Sequence, residues 1–206
     1  MDVATHGSAS QSAPQSDEAL WASSLAGDGE AFGVLFDAHR LRVYRHACRL
    51  ASTRHDAEDV AASAFLELWR RRDKVRLVDG SVLPWLLITT TNLGRNAARA
   101  QRRYREFLER LPRAPEQPDV AELALGTHAI GTDTRLREGL AALNKTDAQL
   151  FALVALEDYP VGAAAELLGL SVPAARARLH RVRGKLREQF EDHLPADQSD
   201  ADGDTR

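Results

Sequence analysis

Apolar residues recur along this chain at intervals of three and four, the period of helices that lay one stripe against a core. Leu20, Trp21 and Leu25 mark a short helix from Asp17, and a Gly27-Asp28-Gly29 turn leads into a longer one. There Phe32, Leu35, Phe36, His39, Val43, Ala47 and Leu50 share a face, while Leu41, Tyr44 and Cys48 add a second stripe, so the helix is predicted to lie between neighbours. A third helix opens on Asp56 as its cap, with Glu58 and Asp59 in the first turn, where the helix dipole favours acids. It carries Val60, Ala64, Phe65, Leu68 and Trp69, and ends on Arg70, Arg71, Arg72 and Lys74. A fourth starts at Pro84, with Trp85, Leu86, Ile88 and Leu93 as its apolar set.

The pattern then stops. Pro112, Pro115, Pro118, Gly126 and Gly131 interrupt any helix, and residues 109–133 read as a linker. Periodicity resumes near Thr134 with Leu136, Leu140 and Leu143, and Thr146 with Gln149 suggests a capping box for a helix carrying Leu150, Phe151, Leu153, Val154 and Leu156. Residues 1–16 and 191–206 show no period and read as disordered tails. The prediction is an all-α chain of two small helical domains, 17–108 and 134–190, joined by a flexible linker.

The stretch from Asp158 to Arg187 reads as a helix-turn-helix, which makes the second domain a four-helix unit. Asp158 is placed to cap a short helix that Pro160 starts, Gly169 supplies the left-handed residue that ends it, and Ser171 can cap the next. Small residues at Ala165 and Gly169 are expected where the two helices cross closely. In the last helix Ala175, Leu179, Val182 and Leu186 form one stripe. Arg176, Arg178, Arg181, Arg183, Lys185 and Arg187 follow one another with no acid among them, a face suited to phosphate.

Charge sharpens this picture more than composition does. The formal net charge of −3 conceals basic clusters at 95–105 and 176–187 with acids between and after them. From Gly80 to Arg105 there is no acid, and Arg95, Arg99, Arg102, Arg103 and Arg105 are interleaved with Asn92, Asn96, Gln101 and Tyr104, a mixture suited to unstacked or single-stranded nucleic acid. Trp85 could stack on a base, although core packing is the commoner use of an aromatic at helical spacing. Cys48 is the only cysteine, so an internal disulfide and a zinc knuckle are excluded and a reducing cytoplasm fits. His39 and His46, seven apart with no third ligand, are expected in the core or at its boundary; no metal and no cofactor is implied. The first residues lack the basic start and apolar run of a signal or anchor. No phosphate-cradling glycine loop, spaced carboxylate set or activated nucleophile points to an enzyme.

Two all-helical basic domains, one suited to open strands and one to duplex, resemble a bacterial RNA polymerase sigma factor of the extracytoplasmic-function group. AFGVLFDAHRLRVYRHACRL, DAEDVAASAFLELW and PWLLITTTNLGRNAARAQRR are similar to the family's region two, and ALNKTDAQLFALVALEDYPVGAAAELLGLSVPAARARLHRVRGKLRE to its region four. The resemblance implies core RNA polymerase and promoter DNA as partners, and is compatible with an anti-sigma factor that covers their faces. It makes the helix of Asp56, Glu58, Asp59 and Leu66 the polymerase-docking element. It places Asn92, Arg95, Asn96, Arg99 and Arg103 at the opened −10 element, and the last helix in the major groove of the −35 element. By helical register Arg176, His180 and Arg181 should read bases there, while Arg178, Arg183 and Lys185 suit phosphates. The chain departs from the family pattern at Ala62, Ser63, Gly162 and Ala163. The alternative is a helix-turn-helix repressor or activator that works without polymerase.

Overall fold

The computed structural model describes residues 16–111 and 134–191, which form eight α-helices. Most of the two predicted tails, and the linker from 112 to 133, lie outside the described residues. Helices α1 (Asp17–Leu25), α2 (Gly29–Cys48), α3 (Arg54–Arg70) and α4 (Leu83–Glu109) make the first unit. Helices α5 (Thr134–Ala142), α6 (Lys145–Phe151), α7 (Val161–Leu167) and α8 (Val172–Glu191) make the second, α6 running on through a π-helical turn at Ala152–Leu156.

The buried stripes follow the apolar period closely. Leu35, Val43 and Ala47 of α2 meet Val60, Ala64, Phe65 and Leu68 of α3 and Leu86 and Leu87 of α4 in one core, onto which Leu20 and Trp21 of α1 close. Each buried leucine contributes about 1.5–3 kcal/mol relative to an exposed one, so this cluster carries most of the unit's cohesion. Gly94 lets α4 cross α2 closely: a Cβ there would stand 2.7 Å from that of Leu50. The second stripe predicted on α2 is only partly used, with Tyr44 and Cys48 half-buried and Leu41 exposed.

Several helix starts lie a few residues from their predicted places. In α3 the cap is Thr53, whose hydroxyl accepts from the Asp56 amide at 3.0 Å, and Asp56 sits inside the first turn. Likewise α6 is capped by Asn144, whose side chain accepts from Asp147 N–H at 2.9 Å, and not by Thr146. Asp158 caps nothing; it lies at φ 58° in the turn after the π-helical segment, and α7 starts at Val161 behind Pro160. These shifts share a cause: capping residues one turn apart compete, and packing of the helix behind them chooses the register.

The helix-turn-helix itself forms as expected. Gly169 has φ 65°, the Leu170 amide donates to the Ala165 carbonyl and the Gly169 amide to that of Glu166, a Schellman closure. Ser171 accepts from the Ala174 amide at 3.3 Å and starts α8. Ala165 is fully buried at the crossing, whereas a Cβ on Gly169 would meet nothing within 4 Å, so the glycine is required by its backbone angle and not by close approach.

The two units share buried residues. Leu150, Leu153, Ala164 and Ala165 belong to the same buried cluster as the α1–α4 core. Leu50 of the first unit packs with Leu140, Leu143, Ala148, Val182 and Leu186 of the second.

Candidate nucleic-acid interfaces

On α8 the stripe Ala175, Leu179, Val182 and Leu186 is buried along its length, which turns the opposite face to solvent. Arg176, His180, Arg181, Arg183 and Lys185 are exposed there. Arg176, His180 and Arg183 line a groove of about 370 Å³ together with Val161 of α7. Arg178 is set apart from them: half-buried, it donates through Nη1 to Asp147 Oδ1 at 2.9 Å and ties α8 to α6. The cationic run therefore divides into an open group and one residue engaged within the fold.

Helix α4 presents the second candidate face, and its side chains have a different fate. Asn96 and Arg103 are exposed. Asn92 accepts through Oδ1 from Gln149 Nε2 at 3.0 Å. Arg95, only 3% exposed, donates through Nε to the Leu140 carbonyl at 2.9 Å and through Nη2 to that of Leu143. Arg99 donates to the Ala141 carbonyl at 2.8 Å and to that of Leu143 at 3.0 Å. Burial, and then the neighbouring charge of Arg99, push the Arg95 guanidinium below its usual range. Those three carbonyls end α5, where a helix leaves acceptors unpaired and its dipole is negative. Two arginines thus cap the C-terminus of α5 as they would meet a phosphate. A cleft of about 500 Å³ beside them is lined by Trp85, Asn92, Asn96 and Lys145 among others; Trp85 is half-buried and packs on the core with its remaining surface toward this cleft.

A third surface lies on α3, where Glu58, Asp59, Ala62, Ser63 and Leu66 share an exposed face. Leu66, 47% exposed, is the large apolar residue of this face. Glu58 and Asp59 pair only with Arg54 at 3.3 Å and His55 at 3.5 Å on their own helix, whereas Asp56 turns inward to accept from Ser52 Oγ.

One cluster was not legible in the sequence. Glu157, at the end of the π-helical turn, reaches into the first unit and is almost fully buried. Its carboxylate accepts from Arg42 Nε at 3.0 Å, Arg49 Nη1 at 2.7 Å and His46 Nδ1 at 2.9 Å. His46 is wholly buried and its Nε2 meets Thr91 Oγ1 at 2.9 Å. The Thr91 hydroxyl also donates to the Leu87 carbonyl at 2.8 Å. Burial raises the Glu157 carboxyl, but the hydrogen bond and charge of His46, with Arg42 and Arg49, overcome it and hold the group below its ordinary value. Only a helical stripe holding His39 and His46 hinted at such a role; His39 itself pairs with Asp17 at 2.6 Å. Among the described residues no group of His, Cys, Asp and Glu could hold a metal ion, and no helix is long and apolar enough to cross a membrane.

The two helical units coincide with two family models, Sigma-70 region 2 over residues 35–104 and Sigma-70, region 4 over residues 133–186. RNA polymerase sigma factor CarQ of Myxococcus xanthus is 31% identical, the match covering 79% of this chain and 90% of CarQ. The chain belongs to the sigma factors of the extracytoplasmic-function group. SigE of Mycolicibacterium smegmatis, an extracytoplasmic-function sigma factor, is 32% identical over 75% of this sigma factor, and RfaY of Xanthomonas campestris, a probable sigma factor, 33% identical over 80%. The chain spans only 60% and 42% of the lengths of those two relatives. The solved structure of CnrH in complex with the cytosolic domain of CnrY superposes with a TM-score of 0.55 at 25% identity, covering 87% of this chain and all of CnrH.

Proposed function

We propose that this sigma factor binds core RNA polymerase in the cytoplasm and directs promoter-specific initiation as a non-catalytic subunit, with 17–108 and 134–190 as its working domains. The observation that carries the proposal is the solvent face of α8, cationic from Arg176 to Lys185 and backed by a fully buried stripe, in a chain that also carries region 2. In the −35 major groove Arg176, His180 and Arg181 reach base edges, where an arginine pairs bidentately with guanine, and Arg183 and Lys185 meet phosphates. Arg178 joins them by exchanging Asp147 for a phosphate. Region 2 holds the opened −10 strand with Asn92, Arg95, Asn96, Arg99 and Arg103, the amide and guanidinium groups serving unstacked bases and backbone. The exposed face of α3, with Glu58, Asp59 and Leu66, docks on the polymerase, and Asp56 supports it from inside the helix. An anti-sigma factor that covers these faces completes the set of partners.

The test is multi-round transcription by purified core polymerase on genomic fragments with and without the chain, mapping the 5′ ends. New starts preceded by one shared pair of motifs are expected. No new starts, with salt-sensitive duplex binding by the chain alone, would instead make it a polymerase-independent regulator.

A further inference from the structure

The last turns of α4 leave an apolar stripe in solvent. Tyr104, Phe107, Leu108 and Leu111 recur at helical spacing and are 62%, 58%, 40% and 47% exposed, the final turn being closed by the Leu111 amide on the Leu108 carbonyl. Four large apolar side chains side by side mark a binding surface. At about 100° per residue the stripe is bordered by Arg103 and Arg110 on one flank and Arg105 on the other, all exposed. Glu106 and Glu109 fall on the opposite side of the helix, where they line a groove of about 370 Å³ between α4 and α5. The surface is therefore apolar with a cationic rim, and it fits an apolar segment that carries acids.

The chain owns such a segment, and both of its ends are held beside the stripe. It leaves α4 at Leu111 and enters α5 at Thr134, and Arg135 lines the same groove as Glu106 and Glu109, while Arg105 Nη2 stands 3.8 Å from Glu138 Oε1. A chain as long as residues 112–133 could reach roughly 75 Å when extended, far more than this return requires. Within it Val120, Leu123 and Leu125 stand among charged residues that are all acidic, Glu116, Asp119 and Glu122. Pro112, Pro115 and Pro118, residues that end helices and favour turns, separate that run from Leu111. The stripe is roughly 10 Å long, a length that about seven residues cover even in the shortest regular backbone form.

From this pairing we infer that residues 119–125 turn back onto the end of α4, with Val120, Leu123 and Leu125 on the apolar stripe and the acids toward its arginine rim. The buried apolar area holds the contact, and the exposed ion pairs set its direction. A second copy of the chain is the poorer occupant. It would bring one arginine rim against another, and it would compete with a segment tethered at both ends, whose effective concentration is on the order of millimolar. The segment joining region 2 to region 4 is thus a packed element with its own seat, and it shields a patch that would otherwise favour self-association. The inference concerns neither the −10 nor the −35 face and stands whatever those faces bind.

The experiment uses the full chain with Phe107 replaced by the photoreactive p-benzoylphenylalanine, and a second form with the same replacement at Tyr104. Both positions are exposed, and circular dichroism checks that each form folds. After irradiation, dimers are separated from monomers and crosslinked peptides are mapped by mass spectrometry. Monomeric products joining either position to residues 116–125, in a yield independent of protein concentration, are expected. Adding Val120→Asp and Leu123→Asp, which lie outside both helical units, should lower that yield at least about fivefold, the consequence of denying the stripe its apolar partners. Dimeric products whose yield grows with concentration would overturn the inference in favour of a second copy. Monomeric products that avoid 116–125, or a yield unmoved by the two aspartates, would overturn it as well.

Discussion

The two basic helices, α4 and α8, begin with similar chemistry and end in different circumstances. Both bury an apolar stripe, and both carry arginines at helical spacing on the remaining surface. On α8 the arginines project into solvent, Arg178 excepted, whereas on α4 Arg95 and Arg99 are taken up by carbonyls at the end of α5. A cationic run therefore does not by itself report an available nucleic-acid face. Availability depends on which acceptors the rest of the fold brings within reach, and a helix C-terminus is the acceptor most like a phosphate that a protein can supply from its backbone.

The contrast can be broken most directly at Arg95. Arg95→Ala removes two charge-assisted hydrogen bonds and leaves the Leu140 carbonyl without its side-chain donor, Arg99 remaining on that of Leu143, which should lower stability by about 3 kcal/mol in denaturant titration. Arg181→Ala, its counterpart on α8, should leave stability within about 0.5 kcal/mol, as surface substitutions do. The same change should weaken duplex binding by about 1–3 kcal/mol while sparing polymerase affinity. If both substitutions cost similar stability, the division between a committed face and a free one is wrong.

Gly94→Ala tests the frame on which α4 is carried. The added methyl would stand 2.7 Å from Leu50 Cβ, and because Leu50 also packs against Leu140 and Val182, the strain should reach both units. Overpacking of roughly 2 kcal/mol should outweigh the gain in helix propensity of about 1 kcal/mol, for a small net loss in melting temperature. Asp147→Ala frees Arg178 at a cost of about 0.5 kcal/mol or less, since that pair is partly exposed, and duplex affinity should rise slightly as the arginine becomes available.

Acidification gives the gentlest test. Glu157 titrates below its ordinary value of 4.5 in the folded chain, so its contribution is complete above that value and is lost as pH falls through the depressed one. Stability in denaturant titration should hold through mildly acidic pH and weaken only below the ordinary carboxylate range, and Glu157→Gln should abolish that dependence.

Much of this molecule was legible beforehand, for identifiable reasons. The stripes Ala175, Leu179, Val182 and Leu186, and Val60, Ala64, Phe65 and Leu68, were predicted and are buried, because a helix that packs on a core must repeat its apolar residues near every 3.6 positions. The caps were less secure: Thr53 and Asn144 took the places expected for Asp56 and Thr146, since neighbouring polar side chains can each cap and the choice belongs to packing. Gly169 was placed correctly but for a second reason that the open space around it excludes.

The sequence by itself determined the all-helical fold, the helix-turn-helix, the two basic faces and the family, since each depends on local period, turn chemistry or residues a few positions apart. Only the tertiary structure decided that Glu157 meets His46 across 111 positions of chain and that Arg95 and Arg99 spend their donors on α5. A hydrogen bond needs its partner within about 3 Å, and no pattern along one segment states which distant carbonyl or carboxylate will be brought that near.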